Sequence, residues 1–459
     1  MDPSGALTVI SHAHVVTMDA ADREWADAMV VLRDNRIVAV GDAHEVDTAA
    51  WPDAVHVDGR GCVLTPGLVN THHHLYQWIT RGLAADHTLF EWLTTLYPVW
   101  AGIDAAGVNA AARGALGVLA TSGCTTSTDH HYVFPVGAGD LLAAEIEAAA
   151  AVGLRFHPTR GSMDLGRSDG GLPPDAVVES IDDILTASAD AVSRWHDPSP
   201  DAMLRIGLAP CSPFSVTSDL LVASAALARD LGVRLHTHLA ETEDETAFCA
   251  ERFGCTPLQY MERLDWLGDD VWFAHGVHFT DDAIADLART GTAIAHCPTS
   301  NARLGAGVAR TRDLVAAGVP VGLGVDGAAS NESCRMLEEA HMAVMMARAV
   351  GGPTALTTRQ SLRLATMGGA RVLGRDAELG SIETGKLADL VLWDLTTLAH
   401  SGIDDPVAAL VLGAQPPIRR SWVDGRVVVA DGHCTTVDAE TVARDVAWAH
   451  RHLLARADR

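Results

Sequence analysis

Residues that can bind a metal ion or move a proton recur along this 459-residue chain, each directly after a short apolar run. Neutral imidazole is the commonest metal ligand, and His and Glu are also common general acids and bases. The segments are Asn70-Thr71-His72-His73-His74, His236-Thr237-His238-Leu239-Ala240-Glu241, Ala274-His275 and Asp326-Gly327. Strand ends are where a (β/α)8 barrel carries its chemistry, so these segments predict one shared pocket.

Three imidazoles and one carboxylate form the predicted metal site. His72 and His74 are separated by one residue, so on a strand both side chains point to the same face and His73 points away. His238 adds a third nitrogen and Asp326 an oxygen, which leaves room for water as in catalytic zinc or iron sites. A lone histidine is more often hydrogen-bonded than metal-bound. We assign to that larger group His44, His278, His400 and His433.

The residues between 63 and 375 alternate short β-rich runs with Ala- and Leu-rich helical stretches, which predicts parallel βα units closed into a (β/α)8 barrel of the TIM type. The eight predicted strands end near His74, Asp129, Arg160, Cys211, His238, His275, Cys297 and Asp326. The predicted helices include Ala105–Ala120, Leu141–Val152, Ser218–Leu231 and Asp281–Thr290.

Both ends of the chain are rich in short strands separated by turn residues. Examples are 28–32 and 36–41 near the start, and 386–393 and 418–429 near the end. The expected organisation is a β domain in two parts, residues 1–62 and 376–438, on either side of a barrel over residues 63–375. Residues 439–459 are expected to contain a C-terminal helix.

The formal charge of −26 argues against a nucleic-acid polymer as partner, because binding to phosphates needs clustered Lys and Arg. No apolar run reaches the roughly 20 residues needed to span a bilayer, so no membrane association is expected. The eight cysteines include no C-x-x-C pair, and we read no secretory leader. Reduced thiols and a cytoplasmic location are therefore expected.

Four motifs of this chain resemble those of the amidohydrolase superfamily. They are Pro66-Gly67-Leu68-Val69-Asn70-Thr71-His72-x-His74, His238-x-x-Glu241-Thr242, His275 and Asp326-Gly327. Within this superfamily, the chain resembles the mononuclear aminohydrolases that deaminate purines, pterins and triazines. These enzymes have a composite β domain formed by both termini, which matches the strand-rich ends of this chain. Binuclear relatives bridge two metals with a lysine on a middle strand. Lys386, outside the barrel, is the only lysine here, so the resemblance implies one divalent ion, zinc or iron(II).

Three longer segments, 89–100, 122–132 and 208–216, are most similar to those of 8-oxoguanine deaminases. Adenosine-type relatives have His where Cys211 stands, and one triazine hydrolase has Thr where Asp326 stands. The resemblance thus implies conversion of 8-oxoguanine and water to urate and ammonia by a homo-oligomer. Aminohydrolases of a pterin, guanine or s-triazine ring are the alternative, and a non-catalytic scaffold is a remote one.

The resemblance also implies roles for three catalytic residues. Asp326 would accept a proton from the attacking water, Glu241 would pass a proton to a ring nitrogen, and His275 would polarise the attacking oxygen. Glu241 could instead begin the acidic first turn of the next helix, although that role suits Thr242 and Asp244 better.

Six residues are predicted to bind the small heterocyclic substrate, and three of them have an equally ordinary structural reading. Trp92 could be a core tryptophan, Arg160 a salt-bridged residue of the barrel rim, and Cys211 a packing residue. The full set is Gln77, Trp92, Tyr97, His131, Arg160 and Cys211.

Overall fold

The computed structural model describes residues 7–44, 51 and 53–457. In these ranges the chain forms nineteen strands. They are β1 Leu7–Val16, β2 Glu24–Arg33, β3 Arg36–Asp42, β4 Val55–Asp58, β5 Cys62–Pro66, β6 Leu68–Asn70, β7 His73–His74, β8 Cys124–His131, β9 Arg155–Ser162, β10 Gly207–Pro210, β11 Leu235–Leu239, β12 Val271–His275, β13 Ala293–His296, β14 Val321–Leu323, β15 Asp326–Gly327, β16 Leu390–Asp394, β17 Ile418–Val423, β18 Arg426–Ala430 and β19 His433–Cys434.

The same ranges contain fifteen α-helices. They are α1 Leu89–Trp100, α2 Ala105–Thr121, α3 Leu141–Val152, α4 Ile181–Trp195, α5 Ser218–Leu231, α6 Glu243–Phe253, α7 Pro257–Arg263, α8 Asp281–Thr290, α9 Pro298–Arg303, α10 Thr311–Ala317, α11 Met336–Gly351, α12 Thr358–Arg363, α13 Gly369–Val372, α14 Pro406–Leu412 and α15 Ala439–Ala457.

Eight parallel strands close into a barrel in the order β6-β8-β9-β10-β11-β12-β13-β14, which confirms the predicted (β/α)8 fold. The barrel strands are buried along their whole length, as expected where helices cover the outside of a parallel sheet. The predicted bounds of α3, α5 and α8 agree with the structure because each helix has clear end signals. Asp140, Thr217 and Thr280 cap their N-termini, and each ends at a glycine with positive φ.

The strands of both chain ends form one sheet in the order β19-β18-β17-β16-β5-β1-β2-β3, with β4 beside β1. The predicted composite β domain is therefore present. The sheet strand β5 reaches Pro66 and the barrel strand β6 begins at Leu68, beyond the expected boundary at residue 62. We propose Gly67 as the boundary, where a Cβ atom would lie only 2.0 Å from Thr125 Oγ1.

Two predicted features at the end of the chain have different outcomes. The helix expected over Ala439–Ala457 is α15, and it packs on α2 through the Arg113–Asp445 ion pair. The strand expected from Lys386 begins only at Leu390, because Lys386 closes a turn with Glu383. Among the described helices, none has the length and apolar character of a membrane span.

Candidate metal centre and active site

Four candidate ligand atoms converge at the carboxyl end of the barrel. Asp326 Oδ1 lies 3.2 Å from His72 Nε2 and 3.3 Å from His74 Nε2. His74 Nε2 lies 3.1 Å from His238 Nε2. A tetrahedral site with metal–nitrogen distances of about 2.0–2.1 Å has ligand atoms about 3.3 Å apart. These three separations are those expected between ligands of one divalent ion.

A separate two-stranded ladder places these ligands beyond the barrel strands. In this ladder β15 pairs with β7, so Asp326 lies opposite His73 and Gly327 opposite His74. The Asp326 N–H also donates to the His72 carbonyl. The ladder therefore joins the first and last ligand-bearing segments of the barrel.

The donor set fits a metal ion. His72 Nε2 is buried without a hydrogen-bond partner, and the Nδ1 atoms of His74 and His238 donate to the carbonyls of His130 and Cys211 at 2.7 and 2.6 Å. These bonds leave Nε2 of His74 and His238 free as acceptors. Two overlapping groups of buried side chains have their potential ligand atoms within 4.8 Å of one another. The first consists of His72, His74, His130 and His238, and the second of His72, His275 and Asp326.

Electrostatics favour the ligand forms of these residues. Burial holds the pKa of His72 and of His238 well below the usual value, so both rings are neutral. Burial alone would raise the pKa of Asp326, but the adjacent imidazoles of His72 and His74 outweigh it and hold that pKa well below its usual range.

Glu241 and His275 lie beside the metal centre. His275 Nε2 is 3.6 Å from Glu241 Oε2 and 3.9 Å from Asp326 Oδ2. Burial, with repulsion from Asp326, raises the pKa of Glu241 well above its usual value, which favours the protonated form of this carboxyl. The helix cap is provided by Thr242, whose hydroxyl accepts from the Glu245 N–H. Glu241 is thus not the capping residue.

Three of the twelve non-glycine residues with positive φ in the described part of the chain lie at these strand ends. Ala240, His275 and Asp326 have φ angles of 53°, 75° and 61°, which non-glycine residues rarely adopt. Strained residues of this kind cluster at functional sites because the surrounding structure holds them in place.

A buried cavity of about 30 Å³ lies over the candidate metal centre. Three of the six predicted substrate residues, Trp92, Tyr97 and Cys211, line it. The Trp92 indole donates to the Ala329 carbonyl, which fixes its ring against the segment after Asp326. Burial raises the pKa of Cys211 to about 12, so its thiol stays protonated, as a packing residue rather than a nucleophile would.

The other three predicted substrate residues do not line this cavity. Gln77 is fully buried against Gly327, and its amide atoms have no hydrogen-bond partner. His131 is bonded to Glu145 Oε1 and the Val133 carbonyl, at 2.7 and 2.8 Å. Arg160 forms a salt bridge with Glu179 at 2.6 Å. A salt-bridged residue of the barrel rim was the alternative to a substrate-binding role for Arg160.

Other residues of the site were not among the sequence predictions. Tyr132, Phe214 and Ser330 line the cavity, while Asn301 accepts from His275 Nδ1 at 2.9 Å. Tyr132 follows the Asp129-His130-His131 run, which could have indicated it. Ser330 and Asn301 lie in segments whose sequence carries no such signal.

The amidohydrolase family profile matches residues 63–430, and the chain belongs to this family. It is 45% identical over 418 residues to the 8-oxoguanine deaminase of Pseudomonas aeruginosa, which covers 90% of this chain and 92% of that protein. It is 38% identical over 428 residues to an isoxanthopterin deaminase from an unknown prokaryotic organism, covering 88% of this chain and 89% of that protein. The crystal structure of atrazine chlorohydrolase from Arthrobacter aurescens complexed with zinc superposes with a TM-score of 0.92 at 33% identity, covering 96% of this chain and all of that one.

Proposed function

We propose that this protein is a metal-dependent aminohydrolase that converts 8-oxoguanine and water to urate and ammonia. The observation that carries the proposal is the convergence of three imidazoles and Asp326 on one point, with Glu241 and His275 within 4 Å of each other beside it. The 45% identity to an 8-oxoguanine deaminase over most of both chains supports this ring over others.

His72, His74, His238 and Asp326 would hold one divalent ion, zinc rather than iron(II), since a solved relative carries zinc. Such an ion supplies the Lewis acidity that makes water a nucleophile near neutral pH. Chelator treatment followed by reconstitution with zinc or iron(II), with metal content measured per chain, tests this assignment.

The chain's own residues would then move the protons. Asp326 Oδ2 lies 3.9 Å from His275 Nε2 and accepts a hydrogen bond from Ser330 Oγ at 3.4 Å. This oxygen would take a proton from the attacking water, while His275 would orient the water oxygen. Glu241 carries a proton and can donate it to the ring nitrogen next to the amino-bearing carbon. The new C–O bond replaces the C–N bond, and the proton held at Asp326 leaves with the amino group as ammonia. As the carbonyl forms, the remaining proton of the former water passes to Glu241 and restores its protonated form.

Substrate binding would involve the aromatic wall of the cavity. Trp92 and Phe214 offer apolar surface for a flat ring, and Tyr97, Ser212 and Ser330 offer hydroxyls for its edge. Since Gln77, His131 and Arg160 do not line this cavity, we propose for them no direct contact with the ring in this conformation.

A second candidate is an aminohydrolase of a pterin or s-triazine. The cavity wall is rich in apolar side chains and contains no arginine or amide group, which suits the s-triazine, a ring with fewer polar edges than a purine. The similarity to isoxanthopterin deaminase is consistent with this candidate.

The test is ammonia release by zinc-loaded protein with 8-oxoguanine, guanine, isoxanthopterin, adenosine and a hydroxylated amino-triazine. Preferred turnover of 8-oxoguanine, with urate formed, supports the first candidate. Activity confined to the pterin or triazine supports the second. Metal-bound protein that is inactive on all five would contradict ring deamination.

We also propose that the protein is a cytoplasmic homo-oligomer. Support for the location comes from its eight cysteines, which are all free thiols in the structure. Light scattering at several protein concentrations tests the oligomeric state.

A further inference from the structure

His236 lies directly behind the candidate ligand His72. His236 Nε2 is 2.8 Å from His72 Nδ1, and His236 Nδ1 is 2.9 Å from the Trp272 carbonyl oxygen. Both rings are fully buried. The three groups thus form a short hydrogen-bonded chain that runs from β12 through β11 to the first metal ligand.

The chemistry of these groups fixes the direction of both bonds. A carbonyl oxygen only accepts, so His236 Nδ1 must carry a proton and donate it. A neutral ring has one N–H, so His236 Nε2 is left as an acceptor, and His72 Nδ1 must then be the donor. The remaining nitrogen of His72, Nε2, keeps its lone pair and faces Asp326, His74 and His238.

We propose that His236 is a positioning residue that keeps the proton of His72 on Nδ1 and thereby keeps Nε2 available to the metal ion. The proposal rests on the metal site of the proposed function but not on the identity of the substrate. Partners of this kind, bonded to the far nitrogen of a ligating histidine, set its tautomer and ring orientation.

Trp272 supports His236 in two ways. Its indole stacks on the His236 ring at 4.4 Å with an interplanar angle of 15°, and its Nε1 donates to the Thr71 carbonyl at 3.1 Å. Thr71 directly precedes His72. Trp272 therefore holds both the His236 ring and the backbone that carries the ligand.

His72 differs from the other two candidate histidine ligands in its partner. His74 and His238 donate to backbone carbonyls, which no side-chain substitution removes directly. The partner of His72 is a side chain, so its contribution can be measured by mutation.

Two substitutions separate the hydrogen bond from packing. His236→Phe keeps an aromatic ring against Trp272 but removes the acceptor. His236→Gln loses the ring but places an amide oxygen at about the reach of Nε2, where it can accept from His72. The matched control is His157→Phe, because His157 is buried beside Trp272, with ring centroids 6.0 Å apart, and has no hydrogen-bond partner.

The measurement is the zinc dissociation constant of each apoprotein, by competition with a fluorescent chelator. We expect His236→Phe to weaken zinc binding by roughly 10- to 100-fold. His236→Gln should stay within a few-fold of wild type, and His157→Phe should not differ from it. Equal affinity of wild type and His236→Phe, or a Gln variant as weak as the Phe variant, would overturn the proposal.

Nitrogen-15 NMR of the histidine-labelled wild-type apoprotein provides a test that needs no variant. A protonated Nδ1 of His72 coupled across the hydrogen bond to an unprotonated Nε2 of His236 is expected. A proton on His72 Nε2 would overturn the proposal. Failure of the substrate panel with normal zinc affinities would contradict the proposed reaction and leave this inference standing.

Discussion

At the scale of single residues, Glu241 offers the clearest separation of chemistry from structure. Replacing it with glutamine keeps its size but removes the proton that it would transfer. We expect Glu241→Gln to lower kcat by about 10²–10⁴-fold while the metal content stays unchanged. Ammonia release and metal analysis on the same sample check this. Glu243→Gln, at an exposed acid two residues away, is the control and should retain full activity.

The metal-site pattern could be predicted from sequence because its geometry is local. His72 and His74 share a face through their spacing alone, and each other ligand follows an apolar run. The partners of His131 and Arg160 could not be predicted in this way. Glu145 lies on α3 and Glu179 precedes α4, and only the tertiary fold brings them to those side chains.

At the scale of elements, β8 and α3 enclose a buried group of three titratable side chains, Asp129, His131 and Glu145. Asp129 Oδ1 accepts from the Leu75 N–H at 2.6 Å, directly after His74. Burial raises the pKa of Glu145 to about 8 and lowers that of His131 to about 4. Through the contact of Asp129 with Leu75 and the contact of His131 with Glu145, this group connects the segment that carries His74 to α3.

The raised pKa of Glu145 predicts a pH dependence of stability. The folded chain keeps the Glu145 proton up to about pH 8, whereas the unfolded chain loses it near pH 4.5. Stability must therefore fall as the pH rises between these values, by at most about 1.4 kcal/mol per pH unit for this group. Between pH 7 and 8, where His131 is mainly neutral in both states and is present in both proteins, urea unfolding should show a smaller fall for Glu145→Gln. Parallel curves for the two proteins would contradict this.

At the scale of the whole molecule, one buried ion pair links the barrel to the sheet. Arg155 in β9 makes two 3.1 Å hydrogen bonds to Asp389, just before β16, and a third contact to Asp424 at 3.3 Å. Its side chain is fully buried. Removing one partner of such a pair leaves a buried charge without full compensation.

Asp389→Asn is therefore expected to lower the free energy of unfolding by about 3 kcal/mol. Urea unfolding followed by far-UV circular dichroism measures it. Asp286→Asn removes a carboxylate from an exposed ion pair with Arg289 and should cost less than about 1 kcal/mol. Similar losses in the two variants would show that Arg155 does not depend on Asp389.

The barrel could be predicted from the sequence because the same pattern of a strand followed by a helix is repeated along the chain. Eight apolar runs with regular helical spacers indicate a barrel, and the capping residues indicate where helices such as α5 and α8 end. The sheet between the two chain ends has no local signal, because β1 and β16 pair with β5 from opposite ends of the sequence. Only the family resemblance indicated it.

The small size of the cavity over the metal centre has a kinetic consequence. Its 30 Å³ accommodates little more than a water molecule, whereas ligand pockets usually measure about 300–1,000 Å³. A bicyclic ring needs more space than this beside Asp326, and outward movement of the α1 side chains Leu89, Trp92, Leu93 and Tyr97, which line the cavity, would provide it. The product would leave by the same movement. We therefore expect a gated enzyme whose kcat falls as solvent viscosity rises with added sucrose, and a kcat independent of viscosity would contradict gating by α1.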